Sequence, residues 1–225
     1  MKQLAWLALA VVIACGNKDK TAPAPAKDPA PAPAPAPVSI DAAPAFPTPP
    51  GIPTFEESLR RGGMTFTMPA GFTRIAPVDN SQWKYAFAMR SDKPAFEVWI
   101  RIDPLDEALA EAAKCKADPS CHGTDPNQRG PMWLAVIAAN LGGAQGGLPD
   151  VKELDPAKVK QDFNADWGGF ASVAPSPELT TKFPRLLVVA LHKDDKADAV
   201  IAIAAGDDLT PDDLYRALDG FKFAP

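Results

Sequence analysis

The chain is poor in the residues from which metal and catalytic centres are most often built. Its 225 residues include only two histidines and three cysteines, whereas a zinc site needs three or four ligands. No G-x-S-x-G nucleophile motif occurs, and the glycine run at 142–147 lacks the lysine of a phosphate-binding loop. The sequence therefore predicts no cofactor, no metal site and no catalytic residue.

The chain also lacks an excess of positive charge. Residues 51–225 contain 19 Lys and Arg against 25 Asp and Glu, so no basic field is available to hold phosphates. This balance argues against a nucleic-acid partner and against electrostatic binding to anionic lipid. The apolar run Leu4–Ile13 has about ten residues, which is too short to span a bilayer as a helix.

What the N-terminus does have is the pattern of a bacterial lipoprotein signal peptide. The run Leu4–Ile13 is typical of a secretory hydrophobic region. It ends in V-I-A-C at positions 12–15, which resembles a lipobox, so we expect cleavage that leaves a lipidated Cys15 as the first residue of the mature chain. Acyl chains contribute about 0.8 kcal/mol per buried methylene, so three of them form a stable anchor. Gly16, where inner-membrane lipoproteins carry Asp, favours the outer membrane; an ordinary signal peptide is the alternative.

A proline-rich segment follows the signal region. Twelve of the 26 prolines lie in the 33 residues from Thr21 to Pro53. This composition favours extended polyproline II and supplies no packed core. At about 3.1 Å per residue, the segment would reach about 100 Å. We therefore expect a signal peptide at 1–14, a lipidated cysteine and linker at 15–53, and one globular domain at 54–225.

Apolar periodicity and helix caps predict an α+β domain. Strands are expected at six runs that alternate or are apolar throughout: 64–68, 82–89, 95–102, 170–173, 186–192 and 199–205. Helices are expected after Thr54, Asp103, Pro131, Asp155 and Thr210. The strands occur in two groups with helices between them. We therefore expect a mainly antiparallel sheet with helices on its faces.

Residues 62–223 resemble the PsbP-like superfamily, which includes LpqN-type bacterial lipoproteins and a Ran-binding import factor. The resemblance rests on F-T-M-P-A-G-F at 66–72, an aromatic hairpin, F-N-A-D-W-G-G at 163–169, a late hairpin, and a closing helix followed by F-K-F at 221–223. It implies an α/β/α sandwich that binds proteins or ligands, usually without catalysis. No functional residue of the family carries over to this chain.

With Cys15 lipidated, Cys115 and Cys121 form an even pair in an exported protein, so a disulfide is expected. Closing so short a loop contributes about 2 kcal/mol. The C-H-G-T sequence that starts at Cys121 resembles the end of a c-type haem site. Haem attachment needs C-x-x-C-H, however, and five residues lie between these cysteines.

Three further features have structural interpretations. His192 ends an apolar strand near a turn, and we expect it to be a surface or hairpin residue. The segment 125–130 imitates the start of a calcium loop but has Arg129 at the fifth position and Val136 at the twelfth, where acidic ligands belong. The acidic residues at 207–213 surround a helix start and are expected to act as solvated caps.

Trp99 is the residue with two open interpretations. It lies opposite the apolar face of its strand, beside Glu97 and Arg101. Either helices cover that face and Trp99 belongs to the core, or the three residues form an exposed patch for a partner.

These patterns together favour a membrane-tethered, noncatalytic cell-envelope lipoprotein whose domain binds a protein partner or a small ligand. Two alternatives stay open. The first is an envelope hydrolase with an atypical carboxylate-based site, because 25 acidic residues always offer some pair. The second is a structural envelope protein without a discrete site.

Overall fold

A computed structural model describes residues 53–80, 83–117, 120–121, 123–142, 147–180 and 182–225. The predicted signal peptide, Cys15 and almost all of the proline-rich segment lie outside these residues, as does His122. The helices are α1 (Phe55–Arg61), α2 (Asp106–Lys116), α3 (Pro131–Gly142), α4 (Pro156–Lys158), which continues into a π-helix (Val159–Phe163), and α5 (Pro211–Leu218). The strands are β1 (Met64–Phe66), β2 (Phe72–Ile75), β3 (Phe87–Asp92), β4 (Ala95–Pro104), β5 (Val151–Glu153), β6 (Trp167–Val173), β7 (Arg185–Lys193), β8 (Ala197–Ala205) and β9 (Phe221–Phe223).

The main sheet has seven strands in the order β2-β3-β4-β8-β7-β6-β5, and every neighbouring pair is antiparallel. Strands β1 and β9 form a second, two-stranded sheet. All nine residues of β8 are buried, as expected for an apolar strand at the centre of a sheet that is covered on both faces. The predicted α+β class with a mainly antiparallel sheet is confirmed.

The two faces of the sheet carry separate apolar cores. The first face, with Phe87, Val98 and Ile201, packs against α1, the π-helix, α5 and the small sheet. Phe55 of α1 stacks on Phe87 with ring centroids 4.5 Å apart. The second face, with Trp99 and Val200, packs against α3 and the segment that precedes β7. The domain therefore has helices on both faces of one sheet.

The helix caps follow the sequence closely. The Thr54 hydroxyl accepts a hydrogen bond from the Glu57 amide at the start of α1. Thr210 and Asp213 form a reciprocal capping box at the start of α5. Asp155 caps α4, where its carboxylate accepts from the Ala157 amide at 2.8 Å. These local hydrogen bonds satisfy amides that have no partner within the helix.

Two helix boundaries differ from the sequence prediction. Asp103 and Pro104 do not begin a helix, because β4 continues through them to pair with β8 at Asp198 and Ala197, and α2 begins at Asp106. The helix that begins after Asp155 does not reach Trp167. The chain turns at Asn164, which has a left-handed backbone with φ of 53°, and Trp167 then joins β6. In both places a strand ladder outweighs the local helix signal.

The strand predicted at 82–89 begins only at Phe87, and the side chains on either side of this point face opposite sides of the sheet. Ala86 donates its amide to the Ile100 carbonyl at 3.0 Å, and Phe87 is also paired with Ile100. Two residues opposite one is the pattern of a β-bulge, which shifts the alternation by one residue. Tyr85 therefore joins the core of the second face, whereas Phe87 joins that of the first. The sequence prediction had placed both on one face.

Among the residues that the structure describes, no helix is long and apolar enough to cross a membrane.

Candidate functional site

Trp99 belongs to the core: of the two interpretations open for Trp99, Glu97 and Arg101, the structure shows the covered face and not an exposed partner patch. Trp99 is fully buried on the second face, with its ring centroid 5.9 Å from that of Tyr85. Glu97 is 8% exposed. Helix α3 and the segment before β7 cover this face. The alternation of β4 could not distinguish a face that helices cover from one that a partner covers.

Glu97 and Arg101 are occupied by ion pairs within the domain. Glu97 Oε1 accepts from Arg90 Nη2 at 2.7 Å and from Lys182 Nζ at 3.0 Å. Burial alone would raise the pKa of Glu97, but the hydrogen bonds and charges of Lys182 and Arg90 hold it below its ordinary value. Arg101 Nε donates to Asp103 at 2.7 Å, and its guanidinium lies over the Trp83 ring.

The structure joins Cys115 and Cys121 in a disulfide, the pairing expected from the sequence. The Gly123 amide also donates to Cys115 Sγ at 3.0 Å. Cys115 is the one buried residue of α2, and Arg61 binds Asp106 and Glu107 at the other end of that helix. The disulfide therefore fixes the C-terminal end of a helix that has little apolar contact of its own.

His192 lies in the β7–β8 hairpin, one of the two places expected for it, and it is buried there, at 2% exposed, instead of lying at the surface. Its Nδ1 lies 2.7 Å from Asp198 Oδ1, and its Nε2 lies 3.0 Å from Asp194 Oδ1. Burial lowers the pKa of the imidazole, but the hydrogen bonds and charges of Asp198 and Asp194 outweigh this effect and raise it. Both ring nitrogens are therefore engaged by carboxylates of the β7–β8 hairpin.

A row of polar side chains crosses the second face beside His192. Asp103, Asp198 and His192 occupy directly paired positions on β4, β8 and β7. Arg129 donates to Asp198 at 2.9 Å. Burial raises the pKa of Asp103, because the nearby cations, Arg101 first and then Arg129, compensate it only in part, and the negative charge of Asp198 raises it further. Every charge in this row has a partner, so the row fixes the β7–β8 hairpin to the loop before α3.

Acidic residues of the segments 125–130 and 207–213 form contacts within the domain. Asp125 accepts from the Asn127 amide at 3.0 Å, and Asn127 in turn binds Asp195 across to the β7–β8 turn. Asp207 pairs with Arg185 at 2.6 Å, and Asp213 caps α5. Within the described residues, no group of three or more His, Cys, Asp or Glu is arranged to hold a metal ion.

Three buried polar atoms on the second face have no hydrogen-bond partner among the described residues: Trp83 Nε1, Tyr85 Oη and Trp99 Nε1. Burial raises the pKa of the Tyr85 phenol far above its ordinary value, with the charge of Arg101 acting in the opposite direction. Ordered water commonly satisfies such atoms in protein interiors. They lie deep in the core, which sets them apart from an accessible site.

The best candidate site is an open cleft of about 600 Å³ between the π-helix and α5. We call it the α5 cleft; it is lined by Gln161, Asp162, Phe163, Tyr215, Arg216, Asp219 and Lys222. Its volume lies within the range of small-molecule pockets, about 300–1,000 Å³. Tyr215 is 59% exposed at this surface. The cleft thus combines an accessible aromatic ring with charges of both signs.

Unusual backbone builds one wall of the α5 cleft. The π-helix supplies Gln161, Asp162 and Phe163, and short π-helical segments occur frequently at functional sites. Asn164 ends this helix in the left-handed conformation, and its Nδ2 donates to the Ala224 carbonyl at 2.8 Å. This bond ties the π-helix to the end of β9, whose Lys222 lines the cleft. The wall is therefore held by specific contacts and not by loop backbone alone.

Sequence reasoning missed the α5 cleft. The helices expected after Asp155 and Thr210 contain Phe163 and Tyr215, but nothing in their spacing brings these two residues together. The cleft needs the π-helix, α5 and β9, which lie up to 60 residues apart in the chain, to be neighbours. The π-helix has no recognised local signature in the sequence, so nothing indicated that this segment would form a wall.

The chain matches no known family model, and no curated protein matches it. Its function is therefore inferred from the sequence motifs and from the geometry of the α5 cleft.

Proposed function

We propose that the protein is a cell-envelope lipoprotein, anchored through Cys15 in a membrane, with a globular domain that binds a small ligand in the α5 cleft without catalysing a reaction. The outer membrane is the proposed location, from the Gly16 criterion. The proposal includes the PsbP-like resemblance, because that superfamily implies a domain that binds proteins or ligands, usually without catalysis. The segment from Thr21 to Pro53 would act as the tether.

The α5 cleft is the observation that carries the binding function. It is accessible, of ligand size, and lined by Tyr215 together with four charged side chains. An exposed tyrosine beside charges is a typical recognition surface, because its ring offers apolar contact at a low cost in conformational entropy. Buried charged side chains elsewhere in the domain, such as Glu97 and Asp198, already form ion pairs with other residues of the domain.

Two observations favour binding over hydrolysis. His192 is buried, has both ring nitrogens within hydrogen-bond distance of carboxylates of its own hairpin, and does not line the α5 cleft. The residues that line the α5 cleft include no His, Cys or Ser that would serve as a nucleophile or its base. A catalytic site in the cleft would have to rest on Asp162 and Asp219 alone.

Anchoring is tested by expressing the full chain in a bacterial host. We expect the mature protein in the membrane fraction, with the mass of a cysteine that carries diacylglycerol and an amide-linked acyl chain. The Cys15→Ala variant should lose both the lipid mass and the membrane association. An unmodified Cys15 in the wild-type protein would contradict the lipoprotein assignment.

Ligand binding is tested by a thermal-shift screen of small metabolites on the full-length protein in detergent. A ligand that binds the native state raises the midpoint of unfolding. Tyr215→Ala should abolish the shift, whereas Met132→Ala, which truncates a side chain 66% exposed on α3, should leave it unchanged. Hits that are insensitive to Tyr215→Ala would place the site elsewhere. An absence of hits, with a stoichiometric partner crosslinked in cells, would favour protein binding instead.

A further inference from the structure

The α5 cleft brings charges of both signs together in one ligand-sized space, and most of them have no partner among the described residues. No described residue forms an ion pair or side-chain hydrogen bond with the carboxylate of Asp162, the carboxylate of Asp219 or the ammonium of Lys222. Exposed charges elsewhere in the described part of the domain are unpaired too, as with Lys152 and Glu178, but they do not line the cleft. The cleft therefore presents both signs of charge with their binding capacity unused.

These opposite charges do not neutralise one another. An ion pair requires a nitrogen and an oxygen within about 4 Å, and neither acid of the cleft reaches Lys222 or Arg216 at that distance, since the described pairs of Arg216 include only Asp213. A ligand that carries both a positive and a negative group would complete both sets of contacts at once. A ligand of one sign would satisfy one set and be repelled by the other.

Arg216 adds unused donors beneath the cleft. Its Nη2 donates to Ser91 Oγ at 3.3 Å and to Asp213 at 3.2 Å, which fixes the guanidinium against β3 and the start of α5. Its Nε is buried, and no described residue accepts from it. The guanidinium thus has hydrogen-bonding capacity that its own domain does not use, and Arg216 lines the cleft together with Lys222.

The position of Asp219 also points to a cationic ligand group. Asp219 is the C-cap residue of α5. The C-terminal end of a helix carries partial negative charge, so a carboxylate there is unfavourable unless a cation lies nearby. No described side chain supplies that cation, since Asp219 has no ion pair. An ammonium group of a ligand would be attracted by both the carboxylate and the helix end.

We propose that the α5 cleft binds an amino-acid-like zwitterion, a free amino acid or a short peptide with free termini. This inference rests on the proposed function and specifies its ligand. The amino group lies against Asp219 and Asp162, the carboxylate against Lys222 and Arg216, and the apolar part against Tyr215. The ligand is not altered chemically, so binding makes and breaks no covalent bond.

The test uses three probes with identical side chains and different end charges. Full-length protein in detergent is titrated calorimetrically with alanyl-alanine, with its N-acetyl derivative and with its C-terminal amide. We expect the zwitterionic dipeptide to bind about threefold to tenfold more tightly than either blocked form, as the loss of one charge contact at a partly exposed site predicts.

Variants then assign each end of the probe. Asp219→Asn should weaken alanyl-alanine about threefold to tenfold and leave the N-acetyl form unchanged, because that form has no ammonium to lose. Lys222→Gln should weaken alanyl-alanine and leave the amide unchanged. Glu178→Gln and Lys152→Gln remove the same charges at exposed positions outside the cleft, and neither should alter any affinity.

The outcomes separate this inference from the proposed function. Equal binding of the three probes, or no binding of any of them, overturns the zwitterion inference. If the thermal-shift screen still finds an uncharged ligand whose effect requires Tyr215, the proposed function stands without it. If Tyr215→Ala changes neither the binding of the probes nor the thermal shifts found in the screen, both the zwitterion inference and the proposed function are wrong.

Discussion

His192 and Asp198 face each other across the β7–β8 hairpin, with Nδ1 of the imidazole 2.7 Å from Oδ1 of the carboxylate. Both side chains are 2% exposed. Asp198 also accepts from Arg129, and the second nitrogen of His192 reaches Asp194. The pair is therefore the centre of a small charge network that joins two central strands, their turn and the loop before α3.

We expect this pair to make stability depend on pH. The hydrogen bonds and charges of Asp198 and Asp194 raise the pKa of His192 above its ordinary 6.5, against the opposing effect of burial. A group with a raised native pKa stabilises the fold fully below its unfolded pKa, and this contribution is lost as the pH rises through the native pKa. Urea unfolding from about pH 5 to about pH 9 should show this decline in the wild type and not in His192→Gln.

The control for the pH experiment is His122→Gln, which removes the other histidine of the chain. With His122 absent, the single imidazole signal in a proton NMR titration belongs to His192. A midpoint below 6.5 for that signal, or an unchanged pH dependence in His192→Gln, would contradict the assignment.

Tyr85→Phe should leave the domain as stable as the wild type or stabilise it by about 1 kcal/mol. The Tyr85 hydroxyl is buried without a partner among the described residues, so the substitution removes a desolvated polar group and no protein hydrogen bond. Trp99→Phe is not equivalent, because it changes the volume of a fully buried ring. Denaturant unfolding measures both. A loss of about 1 kcal/mol or more in Tyr85→Phe would show that a bound water or ligand satisfies the hydroxyl.

Reduction of the Cys115–Cys121 disulfide should affect α2 first. The closed loop is short, so the contribution to global stability is about 2 kcal/mol, and α2 has Cys115 as its one buried residue. Hydrogen exchange should show faster exchange of the α2 amides in Cys115→Ser/Cys121→Ser, while the β7 and β8 amides keep most of their protection. Equal loss of protection in the helix and in the central strands would mean that the disulfide holds the whole domain.

Gly220→Ala should destabilise the domain strongly. A methyl group at Gly220 would collide with the backbone carbonyl of Thr67, and the Thr67 amide donates to the Gly220 carbonyl at 3.0 Å. The two-stranded sheet of β1 and β9 therefore has to move or separate, which typically costs about 1–3 kcal/mol. Gly130→Ala is the matched control, because nothing lies within 4 Å of the added methyl there. Thermal unfolding of the two variants compares them directly.

Much of the fold was predictable because the signals are local. Thr54, Asp155 and Thr210 cap helices where the sequence placed them, since a side-chain oxygen within three residues of the first free amides acts without help from the rest of the chain. The apolar runs in β7 and β8 were correctly expected in the middle of a covered sheet. Asp103 and Pro104 show the limit, because the same cap signature was overridden by pairing with β8.

The candidate site was far less predictable. The sequence left two interpretations open for Trp99, core or partner patch, because its strand does not show that α3, about 30 residues later in the chain, covers that face. The α5 cleft went unnoticed because Asp162, Tyr215 and Lys222 are ordinary surface residues in three separate segments. Their unpaired charges are a property of distances between segments, which periodicity does not encode.

The sequence by itself determined the helix caps at Thr54, Asp155 and Thr210, the central strands and the α+β class, and it predicts the lipoprotein signal at Cys15, because each of these depends on neighbours along the chain. The tertiary structure decided which face of β4 is covered, where β4 ends, how His192 is buried between two carboxylates, and which charges around Tyr215 lack partners. These features depend on contacts between distant segments. The proposed binding site is therefore visible only after the chain has folded.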